Sequence, residues 1–288
     1  MVKYLLVFCL LFSSSYAEEL LEADPMEEVI VQEDPLVTKI KSFLDEKTYE
    51  NNSEFISVIF DPQSAFYEND RVDSVKVVQT LKENGLLKLF FNKPQELKLN
   101  FKTSGAPLFF VKIMGDTLRN IGYYRYVTRA SHLDSSEFTW SISLTSEYVT
   151  DPLILEQELK KSGCKIIDIE RNFSDEWTYV VDMAMGYLNI VELHPRKETQ
   201  LKRSLYAHWL NVSKIKTLTI TSSRRNSWYP YIAFYDSSLH LLKVIREDEI
   251  YRKLNLNIPQ NAKYLKISDL YTLKNVRDKL TLYPGGSK

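Results

Sequence analysis

The sequence predicts an α+β protein in which two small tandem β-α-β-β modules precede a C-terminal antiparallel β-sandwich of jelly-roll-like layout. Three observations predict it. Two stretches share the order strand, helix, strand, and each helix closes on a glycine, Gly85 or Gly163. From residue 187 onward, short apolar or alternating runs are separated by turn residues, with no long helical pattern between them. The composition, 44% apolar and 26% charged over 288 residues, belongs to a globular chain long enough for more than one core.

Lys3, the apolar stretch Leu5 to Phe12 and the small-x-small triplet Ser15-Tyr16-Ala17 read as a signal peptide over residues 1–17. The apolar stretch falls short of the ~20 residues a spanning helix needs, so no transmembrane segment is expected. Residues 18–35 read as an acidic linker: eight acids and no base lie between Glu18 and Asp34, with one short apolar run, Val29-Ile30-Val31.

Module 1 covers residues 36–115. Ser53-Glu54-Phe55 leads into a strand at 56–60, and Asp73 caps a helix with Val75, Val78 and Leu81 on one face. Strands follow at 86–91, 96–101 and 108–113. Module 2 covers residues 116–186. Ser136-Glu137-Phe138 leads into a strand at 139–144, and Asp151 caps a helix with Pro152 in its first position and Leu155 and Leu159 one turn apart. Strands follow at 164–169 and 177–182. Between the modules, Tyr123-Tyr124-Arg125-Tyr126 is either a ligand-stacking surface or a set of half-buried strand residues. The β-α-β-β order is similar to that of small periplasmic assembly modules of the polypeptide-transport-associated and secretin N-terminal types.

The sandwich, residues 187–288, has strands at 218–221, 231–235, 254–258 and 264–267. Turns at Asp236-Ser237-Ser238 and Pro259-Gln260-Asn261-Ala262 separate them. Tyr231-Ile232-Ala233-Phe234-Tyr235-Asp236, with the run from Ile258 through Tyr264 to Ser268, resembles galactose-binding-like jelly rolls. The Lys- and Asn-rich, Gly-poor composition and the run Ile121 to Tyr126 resemble uncharacterised secreted or periplasmic proteins of Campylobacter- and Helicobacter-type bacteria. That resemblance implies a periplasmic or secreted location and brings no catalytic residues.

A net charge of −1 conceals a gradient. Residues 35–186 carry 18 bases against 22 acids, and residues 187–288 carry 18 bases against 8 acids. Either the acidic linker lies against the chain's own basic domain, or that domain meets an anionic partner, an envelope glycan or another periplasmic protein. Nucleic acid is a poor partner for an exported chain.

Several chemistries find no support. Eight scattered glycines make no dinucleotide or phosphate loop, and no two of the four histidines stand one helical turn apart. No serine sits in a Gly-x-Ser-x-Gly elbow, and after signal cleavage Cys164 has no cysteine partner and reads as a small buried hydrophobe. No catalytic residue, metal or cofactor is expected, although the carboxylates are too numerous to pair by sequence. The candidate ligand-binding residues are Arg224, Arg225, Trp228, Tyr229 and Tyr231, because adjacent guanidinium forks and flat aromatic faces suit anions and sugar rings. Trp228 equally suits the sandwich core. Asn172, in Glu170-Arg171-Asn172-Phe173-Ser174, fits a bacterial N-glycosylation acceptor. The leading expectation is an exported, non-enzymatic binding protein of the cell envelope. The alternatives are a scaffold component of a flagellar or secretion apparatus, and a glycan hydrolase.

Overall fold

The computed structural model describes residues 33–288, so the expected signal peptide and nearly all of the expected acidic linker lie outside the described residues. Helices α1 (Pro35–Phe43), α2 (Glu46–Asn51) and α3 (Ser53–Ile59) open the fold, followed by a small hairpin of β1 (Tyr67–Glu68) and β2 (Arg71–Val72). Next come α4 (Ser74–Glu83), β3 (Phe90–Thr103), α5 (Pro107–Asn120), β4 (Val127–Leu133), β5 (Phe138–Tyr148), α6 (Pro152–Lys160), β6 (Lys165–Phe173) and β7 (Glu176–Asp182). The remainder is strand: β8 (Val191–Glu192), β9 (Thr199–Leu201), β10 (His208–Asn211), β11 (Ile215–Ser222), β12 (Pro230–Tyr235), β13 (Leu241–Arg246), β14 (Lys253–Asn257), β15 (Tyr264–Asp269) and β16 (Leu280–Ser287). Among the described residues no helix is long and apolar enough to cross a membrane.

The mixed α/β character is as expected, but the two expected modules share one sheet. Its order is β4-β5-β3-β7-β6, with β3 parallel to β7 and the other pairs antiparallel. The strand from the first expected module is thus central, between two strands of the second. The expected boundary at 115/116 falls inside α5.

Alternation decides which sheet face is covered. Leu97, Leu99 and Phe101 of β3 stand opposite Leu144, Ile142 and Trp140 of β5, and Leu99 and Phe101 also face Trp177 and Tyr179 of β7; all are buried. The Tyr179 hydroxyl donates to the Thr150 carbonyl at 2.7 Å inside this core. The other face is polar, with Asn100 accepting from Ser141 Oγ at 2.7 Å, as befits a sheet with one solvated side.

Two expected strands are helices. Residues 53–59 form α3, where Ile56 is buried together with the C-cap residue Phe60 one turn on. Residues 108–113 lie in α5, where Pro107 takes the first turn and Phe109, Phe110, Ile113, Met114, Thr117 and Leu118 form a helical stripe. A six-residue apolar run has no period of its own; the fourteen-residue helix does.

The helix ends follow their sequence signals. Asp73 accepts from Lys76 N and Asp151 from Leu153 N, each satisfying an otherwise orphaned donor. Gly85 has φ +75°; its N–H reaches Lys82 O at 3.1 Å and the Leu86 N–H reaches Leu81 O at 2.9 Å, a closing pair that needs a left-handed residue. Gly163 repeats it with Lys160 and Leu159, and Gly122 does the same at the end of α5.

The C-terminal strands make a two-sheet sandwich, β13-β12-β15-β10-β8 over β14-β11-β16-β9, antiparallel apart from the short β8–β10 pair. Ile232, Phe234, Leu265 and Ile267 from the first sheet and Leu218, Ile220, Leu256 and Leu282 from the second share one core. The outer face of the first sheet carries aromatic residues that dock on α5. Phe109 and Tyr264 have ring centroids 6.2 Å apart, and Lys112 Nζ lies 5.0 Å from the Trp209 ring.

Candidate functional site

The Arg224–Tyr231 segment joins β11 to β12, and it forms a clasp. Trp228 is fully buried in the sandwich core, and its Nε1 donates to Ser268 O at 2.9 Å, so its indole offers no face to a ligand. Buried Asn226 donates to Lys279 O at 2.9 Å and accepts from Asp278 N at 2.8 Å. The Tyr229 N–H donates to Asp269 Oδ2 at 2.9 Å, while its half-buried ring meets Tyr271 edge-on at 5.0 Å. Tyr231 is half-buried, with Arg246 and Lys266 at 5.5 and 5.8 Å from its ring. Arg224 and Arg225 are exposed. Of the five expected ligand-binding residues, Trp228 is therefore core, Tyr229 and Tyr231 are half-buried, and Arg224 and Arg225 are open surface. Asn172 is exposed near the β6–β7 turn, its Oδ1 accepting from Thr178 Oγ1 at 2.8 Å.

A different set of arginines and tyrosines comes together where the Gly122–Val127 connection passes from α5 to the sheet edge. A cleft of about 880 Å³ is lined there by Arg119, Arg125, Arg129, Tyr124, Tyr126 and Tyr206, with Glu96, Ser143 and Thr145. It adjoins a second cleft of about 710 Å³, between α5 and the sandwich, lined by Lys112, Asp116, His208, Trp209, Lys266 and Glu158. Arg119 and Tyr206 line both, with the guanidinium 4.5 Å from the Tyr206 ring centroid.

Each cleft residue is placed by its element. Arg119 stands in the last turn of α5, where Asp116 one turn back receives its Nη1 at 2.9 Å. Arg129 is the extra residue at a β-bulge between Thr128 and Ala130, a device that re-aims a side chain. Its Nε donates to Ser143 Oγ at 2.7 Å, and its guanidinium pairs with Glu96. Tyr126 packs edge-on against Trp140 at 5.6 Å. Tyr124 is 68% exposed, and Tyr206 is 48% exposed with one ring face taken by Arg119. Arg125 is exposed and makes no ion pair among the described residues.

The carboxylates of the clefts are engaged. The Arg129 hydrogen bond holds Glu96 below its usual range. Burial opposes the same shift at Glu158, but hydrogen bonds from Lys161 and Asn120 carry it downward on balance. Asp116 is shared by Lys112 and Arg119. Burial pulls Lys112 down against the pull of Asp116, and pushes the Tyr123 and Tyr126 phenols up.

Burial also lowers His208, opposed by a hydrogen bond with the Lys202 backbone. With the folded value depressed, the unfolded chain binds this proton more tightly. Stability is full above the ordinary imidazole value of 6.5 and is lost as pH falls through the folded one. The urea midpoint is expected to drop between about pH 7 and pH 5, and to drop less in His208→Gln; equal drops in both proteins would contradict this assignment.

Among the described residues no cluster of His, Cys, Asp and Glu is arranged to hold a metal ion. Cys164 is buried, as its sequence context predicts, and burial with the nearby Asp182 charge pushes its thiol up to about 11. Comparison with protein-family models, curated proteins and solved structures finds no match. The geometry of the clefts is therefore the ground for a function.

Proposed function

We propose that the chain is an exported, non-enzymatic binding protein whose ligand is an acidic glycan, held in the Tyr-Arg cleft rather than at the Arg224–Tyr231 loop. One observation carries the reading: Arg125, with no ion pair among the described residues, lines a single cleft with the paired Arg119 and Arg129 and the exposed Tyr124 and Tyr206. Sugar rings stack on aromatic faces through their apolar C–H surfaces, and guanidinium forks take carboxylates or sulfates in bidentate geometry. The engaged state of Glu96, Asp116 and Glu158 supports binding over hydrolysis, because a glycosidase acid is a carboxyl held protonated by its surroundings.

The test is titration of the full chain with an oligouronate at low and high salt. Arg125→Ala is expected to weaken binding about tenfold or more, the equivalent of one charge-assisted bond of ~1.5–3 kcal/mol. The double variant Arg224→Ala, Arg225→Ala should bind as the parent does. The reverse pattern would return the site to the sandwich loop.

A second reading, a scaffold component of an envelope assembly, has one observation of its own. Edge strand β4 is exposed along its whole length, with Val127 60% and Leu133 63% accessible. Purification from untreated envelopes separates the two: a stoichiometric large complex supports the scaffold, and a free monomer supports the binding protein.

A further inference from the structure

A cavity of about 530 Å³ lies between the end of α4, the start of α6 and the β3–β5 pair, and it adjoins the Tyr-Arg cleft at Tyr123, which lines both. Its character is different. Leu87, Leu89, Val149, Ile121 and Ile154 make its walls apolar, and its volume falls in the range of small-molecule sites.

Local structure keeps it open. The Gly85 turn sends Leu86 and Leu87 back over α4, each with its N–H on Leu81 O. The Val149 N–H donates to Leu89 O at 2.8 Å, and Phe90 stands opposite Tyr148. The β3–β5 ladder then breaks until Gln95, leaving Phe90 54% and Tyr148 59% exposed beside Ile154 at 52%. Three large apolar side chains thus stay in water around one apolar cavity, an arrangement that costs stability unless something covers them.

Charge at the edge is one-sided. Lys82 is held by Asp151 at 2.5 Å, the same Asp151 that caps α6, so that pair is internally neutral. Lys88 lines the cavity, is exposed and has no ion pair among the described residues. Thr150, also in the lining, is buried with its side chain beside the Tyr123 hydroxyl.

We infer that this cavity binds a single-chain amphiphile with an anionic head, a monomeric long-chain carboxylate, with the chain along Leu87, Leu89 and Ile154 and the head at Lys88. The cavity is a site separate in chemistry from the glycan cleft, and its test does not depend on that reading.

The experiment displaces a fluorescent fatty-acid probe from the full chain with saturated carboxylates of eight to fourteen carbons and with the matching alcohols, all below their micelle concentrations. Affinity is expected to rise roughly threefold to fourfold per buried methylene, and each carboxylate should outcompete its alcohol at low salt. Ile154→Glu, at a half-exposed position that leaves the core intact, should abolish displacement. Lys88→Ala should erase the preference for carboxylate over alcohol while keeping the dependence on length. A flat length series, binding unchanged by Ile154→Glu, equal binding of acids and alcohols by the parent, or binding to anionic vesicles without binding of the monomer would each overturn the inference.

Discussion

Replacing Trp228 with alanine is expected to destabilise the protein by about 3–5 kcal/mol, the range for deleting a large aromatic side chain from a packed core. The indole is fully buried among Ile232, Phe234, Leu265 and Ile267, so its loss leaves a cavity that strands cross-linked in two sheets cannot close. The substitution also strips Ser268 O of the 2.9 Å bond from Nε1. Trp228→Phe separates the two contributions: it keeps most of the apolar volume and loses the bond, and should cost about 1–2 kcal/mol. Urea denaturation followed by far-ultraviolet circular dichroism reads both values. A loss under about 1 kcal/mol in Trp228→Ala, joined to lost ligand binding, would make Trp228 a ligand platform after all.

Asp269→Ala should be comparably damaging, at least ~3 kcal/mol, because it orphans several donors at once. Oδ2 accepts from Tyr229 N at 2.9 Å; Oδ1 accepts from Tyr271 N at 3.0 Å, Thr272 N at 2.8 Å and Asn275 Nδ2 at 3.0 Å. The carboxylate therefore ties the β11–β12 connection to the one that follows β15. A second tie runs from Leu270 N to Tyr229 O at 2.8 Å and a third from Ser227 N to Asn275 O at 2.9 Å, so Asp269 works with main-chain bonds to fix the path of the segment. Asp269→Asn retains one acceptor oxygen but turns an amide toward main-chain N–H groups, and should lose about half as much stability as the alanine variant. If Asp269→Ala unfolds at the parental urea concentration, the clasp is not what holds this end of the sandwich.

These two residues show what is legible in a sequence and what is not. Arg-Arg-Asn-Ser-Trp-Tyr has the composition of a binding loop, yet the same polar edges and flat faces serve a clasp equally well. Burial of Trp228 is set by Asp269 and Ser268, some forty residues downstream, and no local pattern reports it. The sandwich strands were readable because alternation is a local property: 218–221, 231–235 and 264–267 all lie within observed strands. Helix ends were readable for the same reason at Asp73, Gly85, Asp151 and Gly163.

Residues 56–60 and 108–113 read as strands because a short apolar run satisfies either period, and only its neighbours decide. The signal that would have found α5 was present: Pro107 at one end and Gly122 at the other bracket a helical stripe. The same bracket places Tyr123 to Tyr126 in a connection, which favours the ligand-stacking alternative over the strand one. The rest of the cleft was beyond reach, since Tyr206 and Arg119 meet only through the docking of α5 on the sandwich.

The Tyr-Arg cleft is proposed over the Arg224–Tyr231 loop as the site for an acidic glycan. Amide chemical-shift mapping of the isotope-labelled full chain during an oligouronate titration tests it most directly. Shifts are expected at Tyr124, Arg125, Arg129 and Tyr206, shrinking as salt is raised; shifts confined to Arg224–Tyr231, or none at millimolar ligand, would overturn the proposal.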